Sequence, residues 1–530
     1  MRVALVSDIS AGLSNSIQLC TEIPSGYIWL APLGAPSPPD NSAFRQPWLA
    51  INWPSNYGNP IKNQRPGNQL NTSKKPARGL SVAALAIVAC GALLRLAYNS
   101  ETFFIDPVQG DAAYYYQYAI NLVEHGTFSK ERSDNPTPDN YWAPGYPAFL
   151  AANLQLAGSF NVEAYDWILH SQVAVAAGAI WLLFLLGRMF MPGYWPLLPA
   201  TLLAFSPHHV SLGSYALTET LFGFTLLAAI YFLARALLLQ KAADYLMCGV
   251  ALATSYMVNP VCLVVAPAVA LGLWLFRAQS NDESDHRLNL GKASLLLLPL
   301  VVTASLWSLR SAIVVPEGSS SSGDRLLANL TVGLYPHYHE KWKASVLDPE
   351  AGVVVPGAGV SDSYATFFAE LGQRFSEAPV EMLTWYATGK PNQLWQWNLL
   401  TDQGDIYFNT VLYSLYHIST PALVSYSIMH TLHPWLLICS LLGALLVICD
   451  RSTLPSVTLP VITYAAVLAI SAVYVLTQAE PRYSVPLRPE LYLTAVFFIW
   501  QACEYLKTLR TRSLARHHAT KTATTTPAAD

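Results

Sequence analysis

Ten stretches of about twenty apolar residues run through this chain, and each has the length needed to cross the hydrocarbon core of a bilayer. They fall at roughly 79-98, 167-187, 194-212, 214-238, 243-258, 260-277, 292-315, 431-449, 455-476 and 485-507. Composition agrees: 53% of the 530 residues are hydrophobic and only 12% charged, where a soluble domain carries roughly 25%. The expected fold class is an all-α polytopic membrane protein of about ten transmembrane helices, with the lipid bilayer as its solvent. A net charge of -3 and a pI of about 6.5 give no reason to expect a nucleic-acid partner. The seven cysteines show no CxxC-type spacing, so neither a disulfide framework nor a zinc site is readable.

Orientation follows from the basic residues in the short connections. Lys74, Lys75 and Arg78 precede the first stretch. Arg188, then Arg235 and Lys241, then Arg277, Arg287 and Lys292, then Arg451, occupy every second connection, and Lys507, Arg510, Arg512 and Arg516 fill the tail. All fall on one side if both termini are cytoplasmic. Two long segments, 99-166 and 316-430, are then extracytoplasmic. The expected organisation is a leader over 1-77, a transmembrane core over 78-315 holding the outer loop 99-166, an outer region over 316-430, closing spans over 431-507 and a basic cytoplasmic tail over 508-530. The leader is rich in Pro, Asn, Ser and Gly without helical period, and reads as disordered or as a mis-assigned start. Within 316-430, Ser319-Ser320-Ser321-Ser322-Gly323 predicts a mobile loop. An amphipathic stretch near 364-388 and the aromatics Trp385, Tyr386, Trp395 and Trp397 suit the headgroup region.

Four polar groupings stand out against this apolar background. Asp111 opens a segment in which Tyr114, Tyr118 and Leu122 share helical spacing, which predicts a helix lying along the interface. A plain helix cap and a carboxylate that works on a substrate both fit it. Glu219 starts the fourth span, where a carboxylate needs either a polar cavity or a paired cation. His208 and His209 occupy the preceding short turn; without a third spaced ligand, whether they meet a metal is left unknown. Arg310 ends the seventh span, and Arg482-Tyr483 precede the last; snorkelling to headgroups is the alternative for these arginines. Carboxylates for a hydroxyl and arginines for a phosphate make up the inventory of a lipid-phosphate transferase.

In this order the residues resemble the GT-C superfamily of membrane glycosyltransferases, near the bacterial relatives of dolichyl-phosphate-mannose:protein mannosyltransferase. The marks are Gly110-Asp111 with Tyr114 and Tyr118, Asn121-Leu122 through Gly126-Thr127-Phe128-Ser129, and Pro144-Gly145-Tyr146-Pro147. Gln172, Thr218-Glu219, Trp307 with Arg310, and Arg482-Tyr483 follow. The chain departs from the family at Asn259-Pro260, where Arg-Pro is usual, and at Arg310-Ser311, where Arg-Asn is usual. The resemblance implies a GT-C-type bundle with two long extracytoplasmic loop regions in a bacterial inner membrane. It implies transfer of a sugar, with inversion, from a polyprenyl-phosphate-linked donor to a hydroxyl acceptor: a glycolipid, a cell-envelope polysaccharide or a protein. Asp111 and Glu219 take catalytic positions. Arg482, Arg310 and Tyr483 face the donor phosphate, and Tyr114, Tyr118, Tyr146, His208 and His209 line the substrate cavity. A divalent metal is neither required nor excluded. The alternative class is a polytopic transporter or lipid flippase, which would place ionisable groups at mid-depth and show matched half-repeats; neither is evident.

Overall fold

A computed structural model describes residues 78–160, 162–277, 290–347, 352–357, 359–401, 403–449 and 458–524. The leader 1-77, and with it Lys74 and Lys75, lies outside the described residues, as do Arg287 and Arg451. Among the described residues, six helices are long and apolar enough to cross a membrane: Arg78–Glu101, Ala164–Phe190, Glu219–Leu239, Gly291–Val314, Thr420–Ile448 and Leu459–Leu476. The chain is a polytopic helical membrane protein, because in hydrocarbon a helix satisfies its own backbone and these helices turn much of their apolar surface outward. Arg78–Glu101 buries only Ala84, Gly91, Arg95 and Tyr98, a single stripe along one face.

The other expected spans take different forms. Those at 243-258 and 260-277 are the shorter apolar helices Ala242–Val258 and Pro260–Gly272. The last is part of a 37-residue helix, Arg488–Thr524, which carries the basic tail without a break. The expected span at 194-212 is two helices, Leu197–Ala204 and Pro207–Leu212. Pro207 has no N–H to continue the first helix and opens the second instead. The carbonyls freed by that break are not left bare. Buried Arg95 donates Nη1 to Ala204 O at 3.0 Å and Nη2 to Leu203 O at 3.2 Å. A cation in the first span thus caps a broken helix, which is why this interruption is tolerated.

The two long connecting segments are hooked together. Phe103–Phe104 pairs antiparallel with Val411–Tyr413, Phe103 standing opposite Tyr413. Within 316-430, Leu327, Leu334, Tyr335, Phe367 and Met382 form a small core of their own. The serine run ends in structure: Ser321 accepts from Asp324 N at 3.2 Å while Asp324 accepts from Ser321 N at 2.7 Å, a capping box that starts the helix Ser322–Leu334.

This segment is held to the turn after Leu476 by close polar contacts. Buried Lys390 donates to Thr477 O at 2.8 Å and Gln393 Nε2 donates to Ala479 O at 2.6 Å; within the segment itself, Trp385 Nε1 donates to Gly333 O at 3.0 Å. Gly333 has no room for a side chain, since a Cβ there would overlap Thr477 O. Lys390 has no carboxylate beside it among the described residues, and burial pushes its amine down to about 7 from 10.5. Between those values the unfolded chain binds a proton that the folded one lacks, so the stability contributed here rises with pH and is lowest below 7. The apparent Tm of the detergent-purified protein is expected to climb from pH 6 to pH 9 by more in the parent than in Lys390→Met. Parallel curves for the two proteins would remove Lys390 as the cause.

Candidate active site

Asp111 is the first residue of the helix Asp111–Glu124, and the turn before it depends on Gly110. Gly110 has φ 57° and ψ -130°, a region closed to side-chain-bearing residues. The buried residues of this helix are Ala112, Tyr115, Tyr118, Ala119 and Asn121; of the row Tyr114, Tyr118 and Leu122 it is Tyr118 that is buried, while Tyr114 is exposed. Aromatic packing sets the rotation. Tyr115 lies against Trp142 at 4.7 Å and Tyr146 at 5.2 Å between ring centres, and the Tyr118 hydroxyl donates to buried Asp139.

Glu219 opens the spanning helix Glu219–Leu239. The turn ahead of it is braced by Gln172, whose Nε2 donates to Gly213 O at 3.1 Å and Tyr215 O at 2.9 Å while its Oε1 accepts from Tyr146 OH at 3.1 Å. Arg482 comes from the short helix Pro481–Ser484, just after the turn anchored through Ala479.

These three elements meet around one guanidinium. Arg482 Nη2 donates to Asp111 Oδ2, and its Nε stands 3.1 Å from Glu480 Oε1 and 3.9 Å from Glu219 Oε1. Burial opposes the charge on Arg482, but Glu480 and Asp111 outweigh it and hold the group firmly cationic. Exposure separates the carboxylates: the Asp111 side chain is 26% accessible, Glu219 7% and Glu480 3%. Asp111 is therefore the one that a solute reaches. Glu219 Oε2 is buried and accepts no hydrogen bond from the described residues, which leaves it an acceptor for a substrate hydroxyl.

A small, partly open cavity at this junction is lined by Asp111, Tyr115, Leu217, Thr218, Glu219, Phe222, Asn259, Arg325, Tyr474, Arg482, Tyr483 and Pro486. The Tyr474 and Tyr483 rings stack at 4.8 Å, and burial pushes the Tyr483 and Tyr115 phenols up, so both remain hydroxyl donors. Of the residues expected at the site, Asp111, Glu219, Arg482 and Tyr483 come together here.

The others go elsewhere. Arg310 donates Nη1 to Asp139 O at 2.7 Å and Nη2 to Phe128 O at 3.5 Å, with its guanidinium against the Phe128 and Trp307 rings. His208 and His209 are outside the cavity lining, His208 against Trp397 O at 2.7 Å and His209 against Ser206 Oγ at 3.0 Å. Tyr146 packs behind Tyr115, Tyr118 bonds Asp139 and lies on Phe128, and Tyr114 is exposed. Among the described residues no group of three or more His, Cys, Asp or Glu side chains is placed to hold a metal ion.

Sequence reasoning missed Glu480, Arg325, Tyr474 and Tyr115 as site residues. Glu480 could have been found beside Pro481-Arg482. Nothing local marks Arg325 except that the capping box starts its helix.

No protein-family profile and no curated protein matches the chain. Among solved structures it is similar to the archaeal oligosaccharyltransferase AglB from Archaeoglobus fulgidus in complex with an inhibitory peptide and a dolichol-phosphate. That likeness has 12% identity and a TM-score of 0.44, and covers 82% of this chain and 52% of that one. It is similar to ArnT from Cupriavidus metallidurans bound to undecaprenyl phosphate at 11% identity and a TM-score of 0.44, over 80% of this chain and 60% of that one. It is similar to the S. cerevisiae protein O-mannosyltransferase Pmt1-Pmt2 complex bound to the sugar donor at 15% identity and a TM-score of 0.36, over 50% of this chain and 37% of that one. The chain spans about half the length of the oligosaccharyltransferase it is similar to. All three TM-scores are low, so the chemistry of the site is read from its own residues.

Proposed function

We propose that this protein is a membrane glycosyltransferase of the GT-C type. It transfers a sugar from a polyprenyl-phosphate-linked donor to a hydroxyl acceptor at the extracytoplasmic face. The observation that carries this reading is the partly exposed Asp111 carboxylate, fixed by buried Arg482 and facing a cavity with a second carboxylate, Glu219. An acceptor oxygen attacks the anomeric carbon, its proton passes to Asp111, and the bond from that carbon to the phosphate oxygen breaks. Polyprenyl phosphate leaves with the bonding pair. A single displacement of this kind inverts the anomeric centre. Placement of base and acceptor supplies the rate. Glu219 receives a hydroxyl of the sugar or of the acceptor at its free oxygen. Arg482 holds the Asp111 carboxylate in line through a charge-assisted hydrogen bond. Tyr483 and Tyr474 wall the cavity. The basic residues of alternate connections support an extracytoplasmic site with cytoplasmic termini.

The test is release of polyprenyl phosphate by the purified protein in nanodiscs, supplied with a panel of polyprenyl-phosphate sugars and a membrane extract as acceptor source. Release from one donor is expected. Silence with every donor, extract included, sinks the reading.

Gly110 gives a finer check. No atom lies within 4 Å of the place where a Cβ would go, so Gly110→Ala adds only backbone strain of about 1–3 kcal/mol. The turn relieves that strain by shifting Asp111, and a displacement near 1 Å costs roughly a hundredfold in rate. Initial rates are expected to fall by about that factor with the circular-dichroism spectrum unchanged. A fully active Gly110→Ala would show that the turn does not set the base.

A further inference from the structure

The charge balance of the cavity is unfavourable for a phosphate. Three carboxylates, Asp111, Glu219 and Glu480, stand around the single guanidinium of Arg482. An incoming phosphate meets a surplus of negative charge there, and the Arg482 donors nearest the cavity are already turned to carboxylates. Arg310, the other arginine expected at the phosphate, is spent on backbone carbonyls outside the cavity.

A different cation lines the same cavity. Arg325 is carried into it by the helix Ser322–Leu334. Its guanidinium carbon lies 3.4 Å from the centre of the Trp142 ring, a stacked arrangement. Stacking occupies the flat face of a guanidinium and leaves its N–H groups, which project in the plane, open to a ligand. Among the described residues no carboxylate stands within ion-pair distance of it. Neighbouring Asp324 is occupied by Ser321 in the helix cap. The platform is firm: Trp142 is buried and packs on Tyr115, itself part of the cavity wall. The helix is fixed at both ends, by Tyr364 OH donating to Gly323 O at 2.9 Å and by Trp385 Nε1 on Gly333 O.

We infer that Arg325 is the residue that binds the phosphate of the lipid-linked donor, held flat on Trp142 with its N–H edge toward the cavity. The inference rests on the glycosyltransferase reading and names the part of the donor that the second long segment recognises. The two arginines then have separate roles, Arg482 fixing the base and Arg325 meeting the phosphate. Charge-assisted, bidentate pairing with phosphate is what an arginine with free in-plane donors does best.

The experiment compares undecaprenyl phosphate with undecaprenol, the same chain without the anion, by native mass spectrometry of the protein in nanodiscs. The parent is expected to bind the phosphate more tightly than the alcohol. Arg325→Gln is expected to weaken undecaprenyl phosphate about tenfold or more while leaving undecaprenol unchanged, and Arg325→Lys to recover part of the loss. Equal losses on both lipids would make Arg325 a packing residue of the Trp142 platform and overturn the inference, as would no loss on either. A parent protein that prefers neither lipid would overturn the donor reading itself, and the inference with it.

Discussion

Asp111→Asn is expected to lower the release of polyprenyl phosphate by roughly two to four orders of magnitude, the range in which a positioned base contributes. The asparagine has nearly the same shape and still offers an oxygen to Arg482, so the helix start and the cavity wall should persist. What it lacks is the capacity to take the acceptor's proton. Binding of undecaprenyl phosphate by Asp111→Asn should therefore stay within a few-fold of the parent. Initial rates and lipid affinity measured on the same nanodisc preparation separate the two effects. Turnover near the parent level would reduce Asp111 to an ion-pair partner of Arg482, and the reading of the site would have to move to Glu219.

Arg482→Ala should do more damage, and of another kind. It removes the guanidinium that stands among three carboxylates, two of them nearly inaccessible: the Glu219 side chain is 7% exposed and that of Glu480 3%. Stranding buried charges in this way costs about 3–5 kcal/mol. That cost is expected as a lower apparent Tm and poor recovery in detergent as well as lost turnover. The cause can be isolated. Adding Glu480→Gln removes one stranded charge, so the double variant should regain part of the lost Tm while remaining inactive, because Asp111 is still unsupported. If Arg482→Ala melts with the parent, or if Glu480→Gln makes it worse, the buried network does not carry the stability ascribed to it.

The place of Asp111, Glu219 and Arg482 at one site was legible in the chain because each sits at a boundary between apolar and polar sequence. An ionisable residue at the end of a span is conspicuous, and orientation by basic residues puts all three at the same face. Glu480 was within reach for the same reason. Arg310 meets that description equally well, yet it lies against Asp139 and Phe128 carbonyls. Boundary position identifies which groups are near the surface, but not which way a side chain turns. His208 and His209 show the converse. A histidine pair in a short turn looks like a site, whereas these two bond to Trp397 and Ser206 away from the cavity.

The sequence by itself determined the class of the molecule. Runs of about twenty apolar residues admit few structures in hydrocarbon other than helices, and the carboxylates at their ends are too costly there to lack a purpose. The tertiary structure decided the rest. It showed that the break of the stretch 194-212 at Pro207 is tolerated because Arg95, about a hundred residues earlier, satisfies the freed carbonyls. It showed that Arg325, in a segment with no local mark of function, stands on Trp142 in the wall of the cavity. Both depend on contacts between residues far apart in the chain, whose energies come from charge and hydrogen bonding across a packed interior. Local periodicity carries no record of such partners.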